Sequence, residues 1–384
     1  MLTVSPTVVV IGNHTQGLGI VRSAAAAGAP VWAVNDKHLS LVRFSRWLSG
    51  YRRLSRGVLA CLEQKTAADE LRTALLNLPG DGPAVLLGVD EDIVSFIHRN
   101  RAELGSRFFI PPVRLDVICD KFRFSQLVPE AARIETRLWS ETDVESERHP
   151  QRFLVKGRSG NSFRRATGQK ALQLDQFTPS VRDQLFRRLP ADQVLTQSII
   201  ITHKPVVSVC SFSLNGRIAG LFGYEKLRQH PNRFGTGTYL RSVSVDDLRP
   251  LAENILQQLE FTGISEIEFV HDSQTGAYKV IEMNPRTWKS VHFATQCGVN
   301  LVGQLLTHMR GEPVAGNDAY LRDRYWADLA TDIPQMIRER KLWGYDRNFF
   351  ECVWNRSDVL PALALWTLFP FLALESALPA RSGR

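Results

Sequence analysis

Residues 266–270 read Glu-Ile-Glu-Phe-Val, and residues 278–286 read Tyr-Lys-Val-Ile-Glu-Met-Asn-Pro-Arg. Side chains alternate between the two faces of a strand, so a hairpin of these runs places Glu268, Glu282 and Asn284 on one face. The other face is then apolar and holds Ile267, Phe269, Ile281 and Met283. Two carboxylates beside an amide oxygen suit a hard cation such as Mg²⁺, which usually completes its octahedron with phosphate oxygens and water. The alternative is a half-exposed hairpin whose acidic residues face the solvent.

The order of these residues resembles a known motif. An apolar strand followed by Glu-x-Asn-Pro-Arg, with an Ile-Glu-Phe strand just before it, is similar to the metal-binding end of the ATP-grasp ligases. The resemblance implies that Glu268, Glu282 and Asn284 bind one or two Mg²⁺ ions on the phosphates of ATP, with Mn²⁺ as the alternative ion. It also implies that Arg286 is a catalytic residue that faces the reacting phosphate or carboxylate.

The same family uses two upstream lysines to hold the nucleotide phosphates, and the chain has a lysine at both places. Lys121 follows Asp120 at the predicted start of a helix, and Lys156 ends the apolar run 152–155. Lys156 also opens a loop that reads Gly-Arg-Ser-Gly-Asn-Ser, whose backbone amides can approach phosphate oxygens closely. The resemblance therefore assigns these residues to the nucleotide site: Lys121, Lys156, Gly157, Ser159 and Gly160. An ordinary turn with a solvated lysine is the alternative for this loop.

The region around the two lysines shows one departure from the family and one further match. Residues 141–150 form a charged loop where the family has an apolar strand. Residues 194–200 resemble the family's hinge strand, which lies against the adenine. The resemblance implies that Thr196 and Gln197 belong to the nucleotide site.

A second hairpin is predicted between the hinge and the acidic strands. Residues 208–214 and 218–224 flank Asn215-Gly216, a dipeptide that strongly favours a two-residue turn. The residues that follow are similar to those of the carboxylate-amine ligase branch of ATP-grasp, which includes D-aspartate ligases. This likeness implies further cationic contacts, with Lys226 at the γ-phosphate and Arg228 or Arg241 at an anionic substrate.

The N-terminal third is predicted to form a doubly wound α/β unit. The expected elements are strand 7–11, a glycine-rich turn over 12–19, helix 20–27, strands 30–34 and 84–87, and helix 92–101. The glycines and Asp36 hint at a dinucleotide site, although four residues instead of one separate the first two glycines. A nicotinamide-dependent enzyme is therefore one alternative function. Units of this type precede the ATP-grasp core, which makes Asn13, His14 and Gln16 candidates for the second substrate's pocket.

The composition describes a globular enzyme with an excess of positive charge. Of the 384 residues, 44% are hydrophobic and 22% are charged, and the formal net charge is +8. We attribute the excess to ATP and an anionic small substrate, and not to nucleic acid, because the arginines are spread along the chain. The exception is the basic run 43–56, which contains Trp47 and Tyr51.

The cysteine pattern argues against a disulfide scaffold or a zinc site. Five cysteines lie far apart and none belongs to a Cys-x-x-Cys pair: Cys61, Cys119, Cys210, Cys297 and Cys352. A reducing compartment fits this pattern best, so we expect a cytoplasmic protein.

The C-terminal end carries an apolar tail. Residues 359–374 include no charged side chain. A spanning helix needs about twenty apolar residues, and Pro361 and Pro370 would interrupt this run. Two alternatives follow. The tail packs on its own core or on the partner of a homodimer, or it lies at the cytoplasmic face of a membrane with Trp366 at headgroup level.

We expect four units along the chain. These are a Rossmann-like pre-ATP-grasp domain over 1–112, a first ATP-grasp lobe with the phosphate loop over 113–193, a second lobe with the metal site over 194–315, and an α-rich C-terminal extension over 316–384. The fold class is α/β and α+β.

The function implied by the resemblance is an ATP- and Mg²⁺-dependent ligase. A carboxylate, such as that of an amino acid or a peptide-like substrate, would attack the γ-phosphorus, and an amine would attack the resulting acyl phosphate, with release of ADP and phosphate. Arg286, Lys226 and Arg241 are the expected catalytic residues. Besides the nicotinamide enzyme, the alternative is a non-catalytic ATP-binding module docked to a membrane or to a protein partner.

Overall fold

The computed structural model of the chain contains three β-sheets with helices packed around them. It describes residues 5–12, 15–139, 152–159, 162–231, 235–338, 340, 344–346 and 348–367.

The first sheet is parallel and lies in the N-terminal part of the chain. Its strands are β1 (Thr7–Ile11), β2 (Val31–Asn35), β3 (Gly50–Arg53), β4 (Ala84–Gly88) and β5 (Phe108–Phe109), in the spatial order β3-β2-β1-β4-β5. The helices of this part are α1 (Thr15–Ala26), α2 (Lys65–Leu76), α3 (Glu91–Arg99) and α4 (Arg101–Leu104). The central strand β1 is buried from Val8 to Ile11, as expected of a parallel sheet covered on both faces. The predicted doubly wound α/β unit is confirmed.

Helix α1 begins five residues before its predicted start, so part of the expected glycine-rich turn is helical. A Cβ atom at Gly17 would lie 3.1 Å from Val42 Cγ2, and one at Gly19 would lie 3.1 Å from Val291 Cγ1. These two glycines therefore let the helix approach its neighbours closely. The prediction of a turn is wrong for this part of the segment, because tertiary packing explains the glycines.

The second sheet is small and antiparallel. Its strands are β6 (Thr136–Leu138), β7 (Phe153–Gly157), β8 (Ala171–Gln173) and β9 (Val194–Ser198), in the spatial order β6-β9-β7-β8. Helices α5 (Leu115–Ile118) and α6 (Lys121–Leu127) precede it, and α7 (Ser162–Thr167) and α8 (Pro179–Phe186) pack near it. Its core includes Val155, Phe163 and Leu185. The charged run 141–150 lies outside the described residues.

The third sheet has seven strands and carries the acidic hairpin. The strands are β10 (Val207–Leu214), β11 (Arg217–His230), β12 (Thr236–Ser242), β13 (Gly263–His271), β14 (Tyr278–Asn284), β15 (Tyr325–Ala327) and β16 (Phe349–Glu351), in the order β14-β13-β10-β11-β12-β15-β16. Helix α9 (Arg249–Gln258) belongs to the core on one face. Helices α10 (Val291–Gln296) and α11 (Leu301–Met309) belong to the core on the other face, together with β1 and α1.

The two predicted hairpins are present, and the one formed by β10 and β11 extends further than expected. Asn215 and Gly216 both have positive φ, 48° and 79°, which confirms the two-residue turn between β10 and β11. Strand β11 continues to His230. Lys226 and Arg228 are therefore strand residues with fixed faces, and not residues of a loop.

Strand β14 contains an irregularity that moves one predicted core residue. Glu268 pairs with Glu282, whereas the next residue, Phe269, pairs with Val280, so Ile281 is the extra residue of a bulge. Val280 is consequently buried in the core and Ile281 is partly exposed. The prediction that Ile281 belongs to the apolar face is wrong, because strict alternation fails at a bulge.

The C-terminal part of the chain extends the third sheet. Strand β15 pairs antiparallel with β12, and β16 pairs parallel with β15. Helix α12 (Leu329–Arg338) also belongs to this part, and its Asp332 binds the guanidinium of Arg228 at 2.7 Å and 2.9 Å. Strands β15 and β16 were not predicted from the sequence.

A buried ion pair then joins the C-terminal part to the N-terminal unit. Arg22 of α1 donates to Asp358 Oδ2 at 3.1 Å and to the backbone oxygen of Val353 at 2.7 Å. Asp358 also accepts from Ser45 Oγ at 2.8 Å and from the backbone N–H of Arg46 at 2.9 Å. The two side chains are 3% and 0% exposed, so each charge depends on the other for neutralisation.

Replacement of Arg22 by Ala is expected to destabilise the protein by about 3–5 kcal/mol, because it leaves the Asp358 carboxylate buried and partly unpaired. Arg249→Ala is a matched control, since Arg249 forms an exposed ion pair with Asp318 and such pairs contribute at most about 1 kcal/mol. Urea unfolding of both variants gives the comparison. Equal, small losses of stability in the two variants would show that Arg22 does not hold the extension.

The apolar tail is described only in its first half. Residues 360–367 are helical, with Ala362 and Ala364 buried and Leu360, Leu363 and Trp366 exposed. The remainder of the tail, 368–374, lies outside the described residues. Among the residues that the structure describes, no helix is both long and apolar enough to cross a membrane.

Candidate active site

The acidic residues of β13 and β14 share one face of the third sheet. Glu268 lies directly opposite Glu282, and Glu266 lies directly opposite Asn284. The amide nitrogen of Asn284 donates to Glu266 Oε2 at 3.0 Å, and this bond leaves the amide oxygen turned the other way, toward Arg286. The three predicted metal ligands therefore lie together, and Glu266 orients one of them.

Four lysines from different elements lie near Glu282. Burial alone would raise the pKa of Glu282, yet this pKa is lowered to about 2 because four ammonium groups outweigh burial: those of Lys170, Lys121, Lys156 and Lys226. The carboxylate therefore stays ionised. Groups of both signs meet beside Glu282 and the cavity that it lines with Lys121, and we call this region the cleft.

Lys226 forms an ion pair with the predicted metal ligand Glu268. The two groups are 2.7 Å apart and are nearly buried, at 8% and 13% exposure. Burial would lower the pKa of Lys226, but the carboxylates of Glu268 and Glu266 outweigh burial and raise it. Burial raises the pKa of Glu268; Lys226 opposes this rise, and the nearby Glu266 and Glu282 add to it. The three neighbouring carboxylates of Glu266, Glu268 and Glu282 therefore carry more negative charge than Lys226 alone can neutralise.

Lys156 is buried in β7 and is held by a polar chain. Its Nζ donates to Gln197 Oε1 at 2.7 Å, and Gln197 Nε2 donates to Thr136 Oγ1 at 2.9 Å. Burial, with a smaller effect of Lys121, lowers the pKa of Lys156 to about 8. A buried ammonium with such a low pKa is stabilised by any anion that binds next to it.

Lys121 is positioned by the residue before it in the sequence. Asp120 is the N-cap of α6 and accepts from the backbone N–H groups of Phe122 and Arg123 at 3.1 Å each. Asp120 also accepts two hydrogen bonds from the Arg158 guanidinium, at 2.9 Å and 2.8 Å. The backbone N–H of Lys121 donates to the oxygen of Arg158 at 2.8 Å. These contacts fix the start of the glycine-serine loop beside Lys121.

Arg286 lies between the acidic face and the N-terminal unit. Its guanidinium donates to Asn284 Oδ1 at 3.0 Å and to the backbone oxygen of Thr287 at 2.8 Å. Gln16 of α1 donates to the same Thr287 oxygen at 2.7 Å. A cavity next to Arg286 is lined by Lys121, Glu282 and Asn284, and by Glu91 of α3. Gln16 therefore contacts the residue next to Arg286, and its role in a substrate pocket stays a prediction. Asn13 and His14 lie outside the described residues.

Three predicted site residues are separated from the others by strand pairing or by other partners. Arg241 pairs with Glu225 across β11 and β12, on the face opposite to Lys226, and its guanidinium binds the Glu225 carboxylate at 2.6 Å. Thr196 lies opposite Val155 of the small core, whereas its neighbour Gln197 faces Lys156. Arg228, the alternative to Arg241, is bound by Asp332. The structure therefore gives no contact of these three side chains with the acidic face.

The loop residues predicted for the phosphate site are only partly described. A Cβ atom at Gly157 would lie 2.7 Å from Phe163 Cβ, so glycine is needed there for packing against α7. The backbone oxygen of Ser159 accepts from Ser162 Oγ at 3.2 Å, which closes the described part of the turn. Gly160 lies outside the described residues.

Sequence reasoning missed three residues that shape the site. Glu266 could have been found, because it lies two residues before Glu268 and therefore on the same face of the strand. Lys170 directly precedes β8, and its role depends on the pairing of β8 with β7. Tyr224, whose hydroxyl donates to Glu266, is buried and has a raised pKa, because burial and the nearby carboxylates of Glu266 and Glu268 all raise it. Only knowledge of the strand order reveals this contact.

Comparison with known proteins identifies the arrangement. Residues 237–314 match the family model of the carbamoyl-phosphate synthase L chain, ATP binding domain. No curated protein sequence matches the chain. N5-carboxyaminoimidazole synthetase from Staphylococcus aureus superposes with a TM-score of 0.62 and 16% identity, over 88% of this chain and 86% of that one. The chain has the ATP-grasp fold.

Two further solved structures share the ATP-grasp fold. A complex of biotin carboxylase from Campylobacter jejuni has a TM-score of 0.62 and 12% identity, over 84% of this chain and 74% of that one. L-amino acid ligase from Bacillus licheniformis has a TM-score of 0.59 and 14% identity, over 80% of this chain and 74% of that one. The resemblance predicted from the sequence is thereby confirmed at the level of the fold. The segment matched by the family model contains Glu268, Glu282, Asn284 and Arg286.

Proposed function

We propose that the chain is an ATP- and Mg²⁺-dependent ligase that joins a carboxylate to an amine and releases ADP and phosphate. One observation carries most of the support: the oxygen donors of β13 and β14 lie close to lysines that come from α6, β7, β11 and the residue before β8. Polyphosphate bound with a divalent cation needs both kinds of group, since lysines neutralise the phosphate oxygens and carboxylates bind the cation.

The donor set fits a hard divalent cation. Glu268, Glu282 and Asn284 offer carboxylate and amide oxygens, which suit Mg²⁺ and also Mn²⁺. The raised pKa of Glu268 reflects burial and crowding of negative charge, and a bound cation would relieve that crowding. Each carboxylate has two oxygens, so Glu268 can keep its ion pair with Lys226 and still offer a ligand. When bound, the ion would supply Lewis-acid polarisation of phosphate oxygens.

The lysines are assigned to the phosphates of ATP. Lys156 and Lys121 come from the first lobe and Lys226 comes from the second, so they would hold the nucleotide from both sides of the cleft. Gln197 positions Lys156 through the 2.7 Å hydrogen bond described above. Most of the acceleration in such a site comes from positioning and from charge stabilisation.

The proposed reaction has two steps. A carboxylate oxygen of the first substrate attacks the γ-phosphorus as the bond to ADP breaks, and an acyl phosphate forms. The amine then attacks the carbonyl carbon, loses a proton and displaces phosphate, which leaves an amide. Arg286 lies beside Asn284 at the edge of the cleft and would stabilise the oxyanion of the second step.

The substrates are best sought among amino acids and short peptides. L-amino acid ligase is among the similar structures, and a cavity lined by Arg286 adjoins the nucleotide side of the cleft. The experiment is a screen of these compounds, in pairs, for substrate-dependent release of ADP from the full chain. Release of ADP with a product mass equal to the condensed pair would support the proposal. Tight ATP binding without turnover for any pair would favour the non-catalytic ATP-binding module.

The nicotinamide alternative is weakened by the position of Asp36. In a dinucleotide site the corresponding carboxylate binds the ribose hydroxyl. Here Asp36 Oδ2 accepts from the backbone N–H groups of Gly57 at 3.1 Å and Leu59 at 3.3 Å, and the residue is 8% exposed. The carboxylate therefore has a structural role in joining two loops.

The affinity for ATP is expected to fall as the pH rises above about 8. In the free protein Lys156 has a pKa of about 8, lowered mainly by burial. Bound phosphate raises the pKa of a neighbouring lysine, so binding above pH 8 requires proton uptake. The dissociation constant should be flat below pH 8 and should rise by at most about tenfold per pH unit above it.

Calorimetric titration with ATP in two buffers of different ionisation enthalpy measures this proton uptake. Lys156→Arg is the control, because arginine stays charged over the whole range. An equal fall of affinity in that variant would assign the pH dependence to another group.

A further inference from the structure

The C-terminal helical segment and the basic run 43–56 together form an exposed apolar surface with a positive rim. We call it the docking surface, and its exposed members are Arg43, Arg46, Trp47, Trp354, Arg356, Leu360, Leu363 and Trp366. Four of the exposures are large for apolar side chains: 52% for Trp354, Leu360 and Leu363, and 73% for Trp366. Single apolar side chains are normal on a protein surface, whereas several that are exposed on two joined segments, three of them tryptophans, indicate an interaction site.

Hydrogen bonds join the C-terminal segment to the basic run 43–56. Asp358 lies between Trp354 and Leu360 in the sequence, and it binds Ser45 and the backbone of Arg46. The buried ion pair with Arg22 fixes Asp358 in turn. The apolar side chains of the C-terminal segment are therefore presented next to the basic run by a structural anchor.

Within residues 360–367 the exposed and buried positions are regularly arranged. Leu360, Leu363 and Trp366 recur at intervals of three residues, which places them along one side of a helix. Ala362 and Ala364 are buried, at 2% and 6% exposure, and Ala362 belongs to the core. The outer side of this helix is thus apolar, although it faces solvent in the monomer.

Apart from Asp358, the charged side chains of the two segments are all positive. Residues 43–56 contain no carboxylate, and residues 352–367 contain only Asp358, whose charge is neutralised by Arg22. Arg46 lies over the ring of Trp47, with 4.8 Å between the guanidinium carbon and the ring centroid. An occupant of the surface must therefore accept tryptophan and leucine side chains and also carry negative charge.

We propose that the docking surface binds the headgroup region of an anionic lipid membrane. Tryptophan prefers the interface between headgroups and hydrocarbon, and arginines are attracted to anionic lipids. The sequence that continues from this helix, 368–374, adds Leu-Phe-Pro-Phe-Leu-Ala-Leu without a charge. A second copy of the chain fits less well, because a two-fold contact would bring the arginine rim against itself.

Flotation of the full chain with vesicles tests this proposal. Vesicles of phosphatidylcholine alone are compared with vesicles that also contain phosphatidylserine, at low and high salt. The two test variants are Leu363→Ser with Trp366→Ser, and Arg43→Glu with Arg46→Glu. Leu321→Ser is the matched control, since Leu321 is 49% exposed and lies outside the docking surface. Thermal melts check that each variant is folded.

Binding should require phosphatidylserine, weaken at high salt, and fall by about tenfold or more in both test variants but not in the control. Failure of the full chain to float with phosphatidylserine vesicles would overturn the proposal. It would also be overturned if both test variants floated like the control. A dimer in light scattering that both test variants abolish, without vesicle binding, would show that the surface binds a second copy instead.

Discussion

Replacement of Glu282 by Gln is expected to lower turnover by about 100- to 1000-fold. The substitution keeps the size of the side chain and removes one charge, so it weakens the binding of a divalent cation that needs carboxylate oxygens. Glu282 also has favourable electrostatic interactions with four nearby lysines, as its pKa of about 2 indicates. We therefore expect some loss of stability as well, without unfolding. The measurement is the rate of ADP release as a function of Mg²⁺ concentration.

The control for this variant is Glu312→Gln. Glu312 is half exposed and pairs with Arg310 on the surface, so its loss should leave both turnover and the Mg²⁺ requirement unchanged. Full activity of Glu282→Gln at limiting Mg²⁺ would remove Glu282 from the metal site. A higher Mg²⁺ requirement, by contrast, would place the effect at the cation.

Replacement of Lys156 by Met is expected to weaken ATP binding and to slow turnover, together by about 100-fold or more in kcat/KM. Methionine fills a similar volume but has no charge, so the phosphates lose one ammonium group in a buried site where electrostatic interactions are strong. Gln197 also loses its hydrogen-bond partner, which lies 2.7 Å away in the native chain. Calorimetry with ATP and steady-state kinetics separate the two effects.

Lys65→Met serves as the matched control, because Lys65 is exposed at the start of α2. Nucleotide affinity and rate at the level of the control would show that Lys156 does not contact ATP. In that case the polar chain through Gln197 and Thr136 would be a feature of the small core only.

Local sequence patterns correctly predicted those structural features that are determined by residues close together in the sequence. The alternation along β13 and β14 placed Glu268, Glu282 and Asn284 on one face, because both strands are regular at those positions. The bounds of β1 and the turn at Asn215-Gly216 were also predicted correctly, since a buried valine run and a two-residue turn are determined by adjacent residues.

The remaining features depend on tertiary contacts that a single sequence does not display. The bulge at Ile281 brings Val280 into the core and leaves Ile281 partly exposed. Strand pairing was needed to show that Arg241 binds Glu225 and that Thr196 lies opposite Val155. Gly17 and Gly19 resemble a phosphate turn in the sequence, yet they serve the packing of α1. The Arg22–Asp358 pair joins residues 336 positions apart, so no local pattern could reveal it.

The central claim is that an acyl phosphate forms from the substrate carboxylate and ATP. The most direct measurement is ³¹P NMR of the products when the carboxylate of the substrate found in the ADP screen is labelled with ¹⁸O. Our account predicts ADP together with inorganic phosphate that carries one ¹⁸O atom, since one carboxylate oxygen leaves with the phosphoryl group. Unlabelled phosphate, or ¹⁸O found in AMP with release of pyrophosphate, would contradict it.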